Sequence, residues 1–302
     1  KEMIPPVNLP VLQKQYNKKN KPVLSVLISS PKDIDISNDT SVEVYFKLPN
    51  RFKNEDEALT VLFKKNKNLI PWFPSILIGD DFEVAVDFLE QLQPKRIVTN
   101  NTGIAFEAYK KGISWVAGPN LNIANFYSLI CLKKHFNCSG SFLSNEMSKQ
   151  QMMSVKKPED FKLYYSIYQP MVLMTSRQCL FHQVSGCEKS IMDDSCIQQC
   201  EKQASITNLK KETSIIEKTK GNYHNIYNAA NLLNTDVGTD IPDLFTSFLI
   251  DLSDIKTETS IVLDKTSFIK VFKNHLNGNS DSTKQLQRII HPSSNSQYKR
   301  GI

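Results

Sequence analysis

Between residues 23 and 276 the chain alternates short apolar runs with longer stretches of helical period. The runs are 23–29 (VLSVLIS), 42–48 (VEVYFKL), 74–78 (PSILI), 96–99 (RIVT), 114–117 (SWVA), 141–144 (SFLS), 161–167 (FKLYYSI) and 247–252 (SFLIDL). They are too short for helices and rich in β-branched and aromatic residues, so they read as strands. Helical patterns follow at 55–65, 83–92, 102–111, through Leu132, at 147–155 and at 266–276. A strand parallel to its predecessor needs a crossover of about a dozen residues, usually a helix. The alternation therefore predicts an α/β fold, a (β/α) barrel of TIM type, with an open doubly wound sheet as the alternative. No glycine-rich dinucleotide fingerprint or phosphate loop follows any of the strands.

The barrel-like domain is expected over 22–276. Residues 201–245 interrupt the alternation with β-like pieces at 205–209 and 214–217, and read as a small β insertion before the last strand. Residues 1–21, rich in Pro and Lys, form a leading segment, and the Ser- and Asn-rich stretch 277–302 a loosely held tail.

Barrels place their sites at the carboxyl ends of the strands. Here those ends carry Ser30, Asp80, Asp81, Asn100, Asn101, Asn120, Asn122, Asn145, Glu146, Ser176, Arg177 and Asp251. Amides and carboxylates suit a polar ligand, although each is also common in turns and at helix N-caps. Asn100, Asn101, Asn122, Asn145, Glu146, Arg177 and His182 are the candidate substrate-binding residues. No catalytic residue is assigned.

Four of the six cysteines fall between Cys179 and Cys200 in the pattern C-x7-C-x8-C-x3-C. Cys179, Cys187, Cys196 and Cys200 could hold a [4Fe–4S] cluster. They could also bind zinc, although zinc modules favour tighter pairs, or remain structural thiols. His182, between the first two, could replace a ligand, assist proton transfer or simply pack. Cys131, in an apolar helical stretch, is expected in the core. The metal readings gain from the chain's start, which has no apolar secretory stretch and so suggests a cytoplasmic, reducing setting. No run of eighteen apolar residues is present, so no membrane span is expected. The formal charge of +6 permits contact with RNA without requiring it. His-Glu-x-x-His and Gly-x-Ser-x-Gly are absent, and clustered thiols make a poor protease nucleophile.

Several segments resemble the collagenase-like peptidase family U32. They are IVTNNTG at 97–103, GPNLNIAN at 118–125, LSNE at 143–146, LMTSRQC at 173–179, Gly186-Cys187, CIQQC at 196–200, YHNIYN at 223–228 and the closing QYKRGI. The likeness is strongest to the carboxyl half of family members that hydroxylate a cytidine of large-subunit ribosomal RNA. It implies a barrel-like fold, an iron–sulfur cluster on the four clustered cysteines, prephenate as co-substrate, ribosomal RNA as partner and a further amino-terminal barrel. The family label implies a peptidase instead, and a non-catalytic RNA-binding barrel is the third possibility.

Overall fold

The computed structural model describes residues 21–301 except 190, 192, 194, 195, 197–199, 201–203, 210 and 222. The leading segment lies outside the described residues, save Lys21. In chain order the elements are β1 (Val23–Ile28), a 3-10 helix (Pro31–Asn38), β2 (Val42–Lys47), α1 (Asp56–Lys65), β3 (Leu69–Phe73), α2 (Asp80–Leu92), β4 (Arg96–Thr99) and α3 (Thr102–Lys110). Next come β5 (Ser114–Ala117), a short 3-10 turn (Pro119–Leu121), α4 (Phe126–Phe136), β6 (Cys138–Phe142), α5 (Lys149–Ser154) and β7 (Lys162–Gln169). Then follow β8 (Val172–Ser176), α6 (Leu180–Val184), β9 (Ala204–Thr207), β10 (Thr213–Lys218), β11 (His224–Asn228), β12 (Asn231–Leu233) and α7 (Val237–Asp240). The chain closes with β13 (Ser247–Asp251), β14 (Ser260–Ile261), α8 (Lys265–Leu276), α9 (Ser280–Ile289), β15 (Ile290–His291), β16 (Ser293–Ser294) and α10 (Ser296–Arg300).

Strands β1 to β7 and β13 pair in parallel, and β13 bonds both β1 and β7, which closes an eight-stranded barrel. The closed ring settles the choice between barrel and open sheet. Side chains alternate across each strand. On β2, Val44 and Phe46 face outward into the core shared with the helices, among Phe63, Phe88 and Leu89. Glu43, Tyr45 and Lys47 have the opposite parity and face the lumen. The lumen is plugged by one residue from each barrel strand: Leu27, Tyr45, Trp72, Val98, Val116, Phe142, Tyr164 and Leu249. Below this layer Arg96 pairs with Glu43 at 2.9 Å. The barrel is thus a packed core, open to ligands only above the plug.

Local chemistry sets the helix starts. Asp80, Asp81 and Glu83 crowd the first turn of α2, where carboxylates oppose the helix dipole. Asn101 caps α3 by accepting the Ile104 N–H at 3.1 Å, and Ser148 and Gln151 form a reciprocal capping box on α5.

Three expectations need correction. The third strand is Leu69–Phe73, not 74–78. Pro71 argues against a strand there, but the β3–β4 ladder begins only at Trp72↔Val98, so its missing N–H breaks no bond to β4. The insertion starts at β8, well before residue 201: β8, β11, β10 and β9 form a separate antiparallel sheet in that order. The stretch 277–302 is not a loose tail. It carries α9 and α10, and Leu286, Ile290 and Tyr298 are buried, with the Tyr298 hydroxyl donating to Asp240 at 3.0 Å.

The small sheet reaches over the barrel mouth. Its β10–β11 turn meets the loop after β2: a Cβ on Gly221 would stand 2.8 Å from the Asn50 Cβ. Only glycine permits that approach. Beside it Lys220 pairs with Glu55 at 3.3 Å.

Candidate functional site

Between the plug and the small sheet lies a cavity of about 1050 Å³. Its lower wall is made by strand ends and the loops after them. Asn100, at the end of β4, is buried; its Nδ2 donates to the Phe73 carbonyl at 3.4 Å and its Oδ1 accepts the Asn120 N–H at 2.9 Å. Gly118 presses against this amide so closely that a Cβ would lie 2.2 Å from Oδ1. Asn120 Nδ2 donates to Ser75 Oγ at 2.9 Å. Asn122 follows in the left-handed region, with φ 53°. Asn145 donates to the Ser166 carbonyl at 2.8 Å, while Glu146 is exposed at the rim. Asp251 accepts the Ser253 N–H at 2.9 Å.

The small sheet supplies the upper wall. Thr175 Oγ1 donates to Asn225 Oδ1 at 2.8 Å, and Asn225 Nδ2 donates to the Tyr227 hydroxyl at 3.2 Å. Glu217 stands beside the same phenol, and burial together with that carboxylate holds Tyr227 well above the usual tyrosine range. Asn225, Tyr227 and Glu217 all line the cavity, as do Trp72 and Lys47 from the barrel.

The expected site residues divide into two groups. Asn100, Asn122, Asn145 and Glu146 line the cavity together. Asn101 does not: its side chain is spent on the α3 cap and on the Ser75 carbonyl at 3.0 Å. Arg177, His182 and the clustered cysteines lie elsewhere, on the segment after β8. There α6 lays Leu180 and Phe181 on Ile216 and Ile226, and Cys179 and Cys200 pack against that cluster. Arg177 was expected at the carboxyl end of a barrel strand, with the cysteines following it in sequence. They follow β8 instead, because Pro170 ends β7 and the chain turns into the small sheet. His182 Nδ1 meets the Cys187 carbonyl, and Arg177 is exposed.

The four clustered thiols are free and half-buried, so they suit an iron–sulfur cluster in kind and number. Among the described residues no three His, Cys, Asp or Glu side chains stand where they could hold a metal ion. Residues 197–199, between two of the thiols, lie outside the described residues. Cys131 is exposed on α4 rather than in the core, whereas Cys138 is buried in the barrel wall, where burial pushes its thiol up to about 12. His224 is fully buried edge-on to Phe181 at 4.9 Å; burial, with Lys218 alongside, lowers it below the ordinary histidine value.

Sequence reading missed Lys47, Trp72, Glu217, Asn225 and Tyr227. The signal for Lys47 was present: if one face of 42–48 packs on helices, the other must face the lumen. The small-sheet residues carried no such signal, since β8 and β11 pair across some fifty positions of chain.

Chemically the cavity offers amide donors and acceptors, a phenol, an indole and carboxylates. Among the described residues lining it there is no histidine or cysteine, and hence no nucleophile–base pair of the thiol or imidazole kind. No helix is long and apolar enough to cross a membrane among the described residues. No curated protein matches the chain. The model of peptidase family U32 matches residues 79–299, from the start of α2 to the last helix. With that match over most of its length, on a closed parallel barrel, the chain belongs to peptidase family U32.

Proposed function

We propose that this chain is an RNA-modifying enzyme, or the carboxyl-terminal part of one, that hydroxylates a cytidine of large-subunit ribosomal RNA in the barrel mouth. The observation that carries the reading is the amide-rich cavity roofed by the small sheet. Asn100, Asn122, Asn145 and Asn225 present donors and acceptors of the kind that read the edge of a base withdrawn from its stack, and Trp72 and Tyr227 add aromatic surface. The lack of a thiol or imidazole among the described lining residues supports this reading over a peptidase of the cysteine–histidine kind.

In the same proposal Cys179, Cys187, Cys196 and Cys200 bind a [4Fe–4S] cluster, prephenate is the co-substrate, and an amino-terminal barrel is a partner. The setting is cytoplasmic. Iron, sulfide and zinc analysis of anaerobically purified protein separates a cluster from a zinc site, and neither metal in stoichiometric amount sinks both.

The test of function is mass mapping of ribosomal RNA from cells lacking the gene, rescued with wild type, Asn145→Ala or the fourfold Cys→Ser variant. Wild type should restore the hydroxylated cytidine and both variants should fail. Unaltered hydroxylation in the deletion strain refutes the proposal. Protein-dependent cleavage of denatured collagen that is lost in the Cys179→Ala variant would favour the peptidase.

A further inference from the structure

Side chains alternate along β10 and β11, so the small sheet has two different faces. Glu217, Asn225 and Tyr227 line the mouth cavity. Ile216 and Lys218 of β10 point the other way, as do His224 and Ile226 of β11, toward α6 and the cysteine segment. Leu180 and Phe181 of α6 close over Ile216 and Ile226, and Cys179 and Cys200 rest on the same cluster.

Two polar side chains on this second face lack partners. His224 is fully buried, and neither ring nitrogen makes a hydrogen bond among the described residues. Its ring meets Phe181 edge-on at 4.9 Å. The backbone of Gln178, the residue before Cys179, lies beside the ring but short of hydrogen-bond geometry. Lys218 pairs in register with His224 across the strands, and its Nζ is likewise buried with no hydrogen-bond partner among the described residues. Folded proteins rarely keep a buried ammonium unpaired, and an imidazole with both nitrogens idle calls for a reason. Both groups can donate: Lys218 carries a positive charge, and His224 bears an N–H in either protonation state. The face is therefore short of acceptors and of negative charge where the cysteine segment packs on it.

We infer that Lys218 and His224 serve the four-cysteine site from behind, as donors to the sulfur atoms of a metal–thiolate centre held by Cys179, Cys187, Cys196 and Cys200. Four thiolates outweigh the charge of a zinc ion, and they leave an iron–sulfur cluster anionic as well. A neighbouring ammonium offsets that charge. N–H groups directed at the sulfurs hold the ligands in place and set the affinity for the metal. The cysteines supply the bonds, while Lys218 and His224 are positioning residues and not ligands. The inference rests on the cysteine part of the proposed function and is independent of its reading of the mouth.

The test strips the full chain and its variants of metal, loads them anaerobically with zinc alone or with iron and sulfide, and challenges them with a chelator. Lys218→Met and His224→Phe should lose metal at least ~10-fold more readily than wild type, the usual effect of removing an outer partner of a metal ligand. Lys218→Arg and His224→Gln each keep a donor and should stay within about threefold of wild type. Urea titration of the metal-free proteins separates this role from a structural one. Without metal Lys218 has no partner to lose, so Lys218→Met should be as stable as wild type or more so. A metal-free Lys218→Met protein of clearly lower stability shows Lys218 to be holding the fold and overturns the inference. So do Met and Phe variants that retain metal like wild type, or a Lys218→Arg protein that loses it as Lys218→Met does. Should His224→Phe fold poorly, the two Lys218 variants decide alone. Wild type that takes up neither metal also overturns the inference, and leaves the mouth to be judged by the mapping of ribosomal RNA. Wild type that binds zinc but no iron removes the cluster from the proposed function, while a ~10-fold zinc loss in the variants still supports the inference.

Discussion

Gly118→Ala tests whether the floor of the mouth is as tightly built as its geometry indicates. The backbone at Gly118 is ordinary for any residue, with φ −74° and ψ 167°, so the substitution brings no conformational strain. Its whole effect is steric: the new Cβ would lie 2.2 Å from Asn100 Oδ1 and 2.6 Å from its Cγ. Asn100 is only 6% exposed and is held by the Phe73 carbonyl and the Asn120 N–H, so it has nowhere to swing. Overpacking of this kind costs about 1–3 kcal/mol. Displacing the amide from Asn120 adds about 1 kcal/mol for a lost hydrogen bond. The expected total is about 2–4 kcal/mol, read as a lowered urea midpoint with an unchanged slope. The reasoning names a single clashing group, so a double-mutant cycle checks it. In the Gly118→Ala/Asn100→Ala protein the clash is gone, and stability should match that of Asn100→Ala alone. A Gly118→Ala protein within about 0.5 kcal/mol of wild type, the ordinary scatter of harmless substitutions, refutes the tight floor. A double variant in which the two costs simply add refutes Asn100 as the clashing group.

Other consequences are equally direct. His224 is held below its ordinary value of 6.5 by burial, so the unfolded chain binds the proton first as pH falls. Its contribution is complete above 6.5 and is lost as pH drops from there toward the folded value; His224→Phe should flatten that part of a denaturation-against-pH curve, and an unchanged curve contradicts the burial. Cys138, with its thiol pushed up to about 12, should resist iodoacetamide at pH 8 in the folded protein while exposed Cys131 reacts, as peptide mass mapping would show. The Lys220–Glu55 pair joins the small sheet to the barrel rim, but its side chains are 72% and 42% exposed. Lys220→Met should therefore change stability by less than about 1 kcal/mol, and a larger loss by urea titration would show the pair to be better shielded than it looks.

The cysteine segment marks where sequence reasoning and structure part. Spacing alone placed four thiols, Cys179 to Cys200, on one short segment. It could not show that this segment follows a strand of a second sheet, which puts the mouth cavity on one side of β10 and β11 and the cysteine-bearing segment against the other. The mouth itself was partly legible. Asn100, Asn122, Asn145 and Glu146 follow barrel strands, and the carboxyl ends of such strands converge by topology. Asn101 was indistinguishable from Asn100 in sequence, because a helix cap and a ligand-facing amide use the same residue in adjacent positions.

What the sequence determined by itself was the class of fold and most of its parts. Short runs rich in β-branched and aromatic residues, seven of the eight overlapping true barrel strands, separated by helical periods, leave few ways to bury both faces of every strand, and a closed barrel is the one adopted. Only the tertiary structure decided the rest: that β8 leaves the barrel to pair with β11, that 277–301 folds back as packed helices, and that Asn100 and Asn225 share a cavity. Those outcomes depend on contacts between residues distant in sequence, for which local propensity and spacing carry no information.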